Sequence, residues 1–164
     1  MRAEDMFKHY KDLRQELAMI TFEISHFTGI SQEDVIEVMT FQHDDEVKVQ
    51  NSDISKRTED IALILNELYQ NKNNEWYKYL ADRWNYLDDE ISFFEFCIEQ
   101  LGGRKADIVF ELIDGDLTWD NIADQYHVSR SMIAVYRNQA IKEINRLYDM
   151  REQERKRFAE SLEN

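Results

Sequence analysis

LTWDNIADQYHVSRSMIAVYRNQAIKEINRL, Leu117 to Leu147, is the stretch on which the fold turns. Its apolar residues fall into two sets: Leu117, Ile122, Ala123 and Tyr126, then Ile133, Tyr136, Ala140, Ile144 and Leu147. Spacings of three and four put each set on one face of a helix. His127-Val128-Ser129 stands between them and reads as a turn, with Val128 filling the corner. Thr118 and Ser129 carry hydroxyls suited to cap the backbone N–H groups of a helix start. Asp120 falls in a first turn, where the helix dipole favours negative charge. Ala123 is small where a second helix must cross closely. The stretch therefore predicts a short helix from Thr118 to Tyr126, a turn, and a second helix from Arg130 to about Leu147: a helix-turn-helix.

In such a module the first residues of the second helix face base edges, while the flanks hold phosphates. The outward side of the second helix would present Arg130, Ser131, Ala134, Arg137 and Asn138, with Lys142 one turn further on. Arg130 and Arg137 have forked donors that suit a guanine edge or a phosphate, and Asn138 has the donor–acceptor pair that suits adenine. Lys142 and Arg146, with Arg104 and Lys105 at the module entrance, suit phosphate contacts. Each of these charged residues also fits an ordinary solvated helix face.

The run Leu101-Gly102-Gly103-Arg104-Lys105-Ala106 through Ile113, followed by Leu117–Leu147, resembles region 4 of sigma-70-type RNA polymerase factors. The resemblance rests on an LT-x-x-x-IA pattern (Leu117 to Ala123), a V-S-R turn (Val128 to Arg130), and a helix ending in A-hydrophobic-x-x-hydrophobic. The acidic helical segment ahead of the module is similar to small phage late-gene activators of the ArpU and RinA families. These resemblances imply DNA binding and control of late or lysis-packaging genes. Housekeeping factors have an acidic residue, an arginine and a glutamine where this chain has Ser131, Ala134 and Val135, although the arginine at Arg130 is kept. Ordinary promoter reading is therefore not implied. No counterpart of the promoter-melting segment is present either, so a complete sigma factor is not expected.

Composition supports helices throughout. The 164 residues include no Pro and only 4 Gly, the two residues that helix interiors tolerate least. The net charge of −14 is unevenly spread. From Arg104 onward ten Lys and Arg oppose twelve Asp and Glu, a net −2; Met1 to Gly103 holds ten against twenty-two, a net −12. The first part should repel phosphate, and the near-neutral last part can present a basic face.

Met6, Tyr10, Leu13, Leu17, Ile20, Ile24 and Phe27 keep heptad spacing, as do Leu80, Trp84, Leu87, Ile91, Phe94, Ile98 and Leu101. Two such stripes fit either an intramolecular bundle or a dimerising coiled coil. Gly29 reads as a C-terminal cap and Ser31 with Asp34 as a capping-box-like start of a short helix to about Met39. Gln42 to Ser55 reads as a polar connector, Ile61, Leu65 and Leu68 as part of another helix, and Asn71 to Asn74 as its end. Gly102-Gly103 marks a module boundary, dividing the chain into an acidic segment 1–100 and a DNA-binding module 101–164.

Other chemistries find little support. His9, His26, His43 and His127 lack the spacing of a zinc site, and Asp44-Asp45-Glu46 and Asp88-Asp89-Glu90 lack the alternation of a calcium loop. Cys97 between Phe96 and Ile98 reads as a small core residue. The aromatics from Trp76 to Phe96 read as core, with a partner surface as the competing reading. Arg151, Arg155, Lys156 and Arg157 read as a mixed-charge extension of the last helix. No stretch reaches the roughly 20 apolar residues of a membrane span, and neither a signal peptide nor a cysteine pair is seen, which points to the cytoplasm.

The expectation is an all-α chain: a helical bundle or coiled-coil segment followed by the helix-turn-helix. The leading function is a phage- or prophage-type transcription regulator without enzymatic activity, metal or cofactor. Its expected partners are double-stranded DNA, RNA polymerase and a second copy of the chain, with no membrane. The alternative is an acidic inhibitor or adaptor that binds a basic protein by imitating DNA, with the helix-turn-helix serving autoregulation.

Overall fold

The computed structural model describes residues 2–43, 56–71 and 74–162. Among these residues there are seven helices and no strand: α1 (Ala3–Thr28), α2 (Gln32–His43), α3 (Lys56–Gln70), α4 (Glu75–Leu101), α5 (Gly103–Asp114), α6 (Trp119–Tyr126) and α7 (Arg130–Leu162). The protein is all-α. The connector expected over Gln42 to Ser55 lies, from Asp44 onward, outside the described residues, as does the acidic group Asp44-Asp45-Glu46. Among the described residues no helix is long and apolar enough to cross a membrane.

Local chemistry explains the end of α1 and the start of α2. α1 stops at Thr28 because Gly29 turns to a φ of +70°, a conformation glycine adopts at little cost. At the start of α2 the Ser31 hydroxyl accepts the Asp34 backbone N–H at 3.2 Å and donates to the Asp34 carboxylate at 2.8 Å. α2 then runs one turn beyond Met39, to His43.

The described residues form two compact units, Arg14–Asp89 and Met1–Leu13 with Glu90–Asn164. In the Arg14–Asp89 unit, Ile20 and Ile24 of α1 are buried, as are Val35 and Met39 of α2, Leu65 of α3, and Tyr77, Leu80, Trp84 and Leu87 of α4. Each such side chain contributes about 1.5–3 kcal/mol by leaving water. The buried indole of Trp84 donates to Thr21 Oγ1 at 2.9 Å, and that hydroxyl donates to the Leu17 carbonyl at 2.8 Å, so this polar pair is satisfied inside the core. Phe27, the last residue of the first heptad stripe, is 45% exposed and stacks on Tyr77 at 6.3 Å.

In the other unit the first turns of α1 supply Ala3, Met6, Tyr10 and Leu13, and the second half of α4 supplies Ile91, Phe94, Cys97 and Ile98, all buried. Phe7 meets Phe94 edge-on at 5.7 Å. α5, α6 and α7 pack mutually around Ile108, Ile122, Ala123 and Ile133, with Leu112, Leu117, Trp119, Tyr126, Val128 and Tyr136 closing the cluster. Glu90 is only 5% exposed and pairs with Arg151 at 3.4 Å, whose guanidinium lies over the Phe93 ring at 4.2 Å.

Candidate nucleic-acid interface

Two helix starts and one tight turn fix the geometry of the α6–α7 pair. Thr118 in extended backbone conformation accepts the Asn121 N–H at 3.2 Å, and Ser129 accepts the Met132 N–H at the same distance. The chain leaves α6 through His127, which adopts a left-handed φ of +53°. The His127 N–H then returns to the Asp124 carbonyl at 3.2 Å and the Val128 N–H to the Ala123 carbonyl at 2.9 Å, so the C-terminal carbonyls of α6 find partners within the turn. Ile122 and Ile133, both fully buried, clamp the pair from inside.

α7 turns Ile133, Ala140 and Ile144, all fully buried, toward this core. With about 3.6 residues per turn, Ser131, Val135, Asn138 and Lys142 occupy the opposite stripe, and all four are exposed. Arg130 is exposed at the helix start, with its guanidinium 3.4 Å from Asp120 and both side chains 67% exposed. Such a surface pair contributes only about 0–1 kcal/mol, so Arg130 can be drawn to another anion cheaply. The Ser131 hydroxyl lies 2.8 Å from that of Ser129, and Arg104 is exposed at the start of α5.

Three of the residues singled out in the sequence are differently placed. Ala134 is half-buried. Lys105 pairs with Glu143 at 2.7 Å, its side chain only 22% exposed. Arg137 is half-buried with its guanidinium over the Phe7 ring at 5.3 Å, a cation–π contact. Its position was legible: Arg137 lies four residues after Ile133 and three before Ala140, on the edge of the buried stripe. The same spacing points outward for Val135, a 42% exposed apolar residue in the middle of the polar stripe.

The first turns of α1 lie along the flank of α7. Asn145 accepts the Ala3 N–H at 3.0 Å and donates to both oxygens of Glu4 at 3.1 Å, which holds the Glu4 carboxyl below its ordinary range. Arg2 pairs with Asp149, and Lys11 donates to Asp116 at 2.8 Å, a hydrogen bond that lowers the Asp116 pKa. No pattern in the sequence links positions so far apart. In the extension of α7, Lys156 pairs with Glu152 at 2.9 Å and Arg157 with Glu154.

Among the described residues no group of three His, Cys, Asp or Glu side chains is arranged to hold a metal ion. Cys97 is fully buried, and loss of solvent pushes its thiol up to about 11, far from the thiolate a nucleophile needs. Comparison with family models, with curated proteins and with solved structures finds no match to the chain.

Proposed function

We propose that α6, its turn and the first turns of α7 form a DNA-binding helix-turn-helix of the sigma region 4 type. The chain is then a sequence-specific transcription regulator of phage or prophage origin. Arg130, Ser131, Val135 and Asn138 enter the major groove, Arg130 on guanine or phosphate, Asn138 on adenine and Val135 against a thymine methyl. Lys142 and Arg104 hold phosphates. Arg137 and Lys105 act one step back, as props of the helix through Phe7 and Glu143. A second copy supplies the second half-site, and RNA polymerase is the partner through which binding regulates.

The observation that carries this reading is the outward stripe of α7. A capped, core-anchored helix presents Ser131, Asn138 and Lys142 opposite Ile133, Ala140 and Ile144. The test is selection from random double-stranded DNA with the whole chain, followed by salt titration. The expected result is an enriched motif whose log affinity falls against log salt with a slope of about −0.9 per phosphate contact. Arg130→Ala lowers affinity by about 1–3 kcal/mol and relaxes preference at one base, with an unchanged melting temperature. No enriched motif at low salt overturns the reading, and equal binding by Arg130→Ala removes Arg130 from the interface.

The charge of the Arg14–Asp89 unit, with seven Lys and Arg against sixteen Asp and Glu, favours a second reading. In it the chain is an acidic adaptor for a cationic protein. It predicts no selected DNA and a salt-sensitive protein complex.

A further inference from the structure

The Arg14–Asp89 unit contains a cleft of about 770 Å³ between α3 and α4. Leu65 and Tyr77, each 1% exposed, form its floor. Ala62, Leu63 and Ala81 line its apolar walls, and Leu63 is 61% exposed. The cleft follows α3 from Glu59 to Gln70, about three turns of helix at about 1.5 Å per residue. At Tyr69 and Gln70 it meets a second cleft of about 470 Å³ bounded by Asn71, Asn74, Glu75 and Lys78. An open trough of this length, with an apolar floor and about half its lining polar, matches the way an amphipathic helix is received in a groove.

The charge around the trough selects the occupant. Among the described residues no Lys or Arg lines the larger cleft, whereas Glu59 does. Lys78, in the adjoining cleft, lies over the Tyr69 ring at 5.8 Å, and Asp82 accepts the Tyr69 hydroxyl at 2.9 Å. The unit as a whole has nine more acidic than basic residues. A second copy of the chain would bring its own net −14 against this field. We propose that the α3–α4 groove docks a cationic amphipathic helix of a partner protein. Apolar residues at i, i+3 or i+4, and i+7 would fill the floor, and Lys or Arg on the flanks would meet Glu59 and the acidic surroundings. This inference does not rest on DNA binding by α7.

The test uses the whole chain and a fluorescent amphipathic peptide of Leu and Lys, about four turns long, with a counterpart in which Glu replaces Lys. Anisotropy should give saturable one-to-one binding of the Lys peptide, weakening with salt, and little binding of the Glu peptide. Ala62→Arg, which fills the trough and adds a cation, should weaken binding tenfold or more. Ile36→Arg, an equal charge change at an exposed α2 site, should leave it unchanged. If thermal melts find Ala62→Arg unfolded, Asn66→Lys at the rim takes its place and should weaken binding in the same direction. Absence of saturable binding, equal affinity for the Glu peptide, or equal binding by the groove variants overturns the proposal. A dimer in sedimentation equilibrium that Asn66→Lys disperses also overturns it, because the occupant is then a second copy.

Discussion

His127 is the residue on which the α6–α7 turn depends, and it holds a φ of +53° that side chains other than glycine avoid. The left-handed conformation costs roughly 1–2 kcal/mol in a residue bearing a Cβ, and glycine gives part of that back as extra freedom in the unfolded chain. His127→Gly is therefore expected to stabilise the protein by about 0.5–1 kcal/mol, read as a raised midpoint in urea. A lowered midpoint would mean that the imidazole makes a contact the backbone argument omits. Arg137 makes a complementary case. Because its guanidinium covers Phe7, Arg137→Ala should lower stability by about 0.5–2 kcal/mol and leave base preference unchanged. A changed selected motif would return Arg137 to the proposed DNA-contacting set. Both residues lie in the stretch that predicts the helix pair: the break between the two apolar sets marks His127 as the turn, and helical spacing sets Arg137 at the edge of the buried stripe.

At the scale of elements, the first turns of α1 behave as part of the C-terminal core. Ala3 and Met6 are fully buried, and Asn145 holds the α1 start by its backbone and by Glu4. Met6→Ala should therefore cost about 2–5 kcal/mol. The loss should appear as faster amide exchange in α5 to α7, although position 6 is more than a hundred residues away in sequence from most of α5 to α7. Protection unchanged in those helices would separate α1 from that core. Leu162→Ala, at a position 71% exposed near the end of α7, serves as the neutral control. α7 itself runs to Leu162, well past the Leu147 that ends its apolar pattern. Neither Gly nor Pro interrupts 148–162, and i,i+3 and i,i+4 pairs support it by tenths of a kcal/mol each.

Across the whole molecule, surface carboxylates held by hydrogen bonds contribute to the acid limb of stability, Glu4 and Asp116 among them. The Glu4 carboxyl lies below its ordinary 4.5 through Asn145, and Asp116 below its ordinary 3.8 through Lys11. A depressed folded-state pKa contributes stability that is fully present above the unfolded value and is lost as pH falls through the folded one. The melting temperature should therefore start to fall as the pH drops below about 4, and Lys11→Met should shallow that fall. An acid limb identical in the variant would remove the Lys11–Asp116 tie from the account.

Local order alone makes the chain helical, because it lacks Pro and repeats apolar residues at helical spacing in several segments between Met6 and Leu147. It also determined the caps at Thr118 and Ser129 and the buried identity of Ile122, Ile133, Ala140 and Ile144, all of which depend on neighbours within a few turns. Periodicity erred at its margins. Phe27 is exposed where the stripe would bury it, and Tyr148 is buried beside a half-buried Leu147, because a helix of about 3.6 residues per turn drifts off a seven-residue repeat. That Phe7 covers Arg137, that Asn145 holds Glu4, and that α3 and α4 leave a cleft over Leu65 follows from the packing of distant segments. Helical spacing is a local property of the chain. These contacts depend on which faces meet between segments far apart in sequence, and that is settled by how the whole set of apolar surfaces can be buried at once.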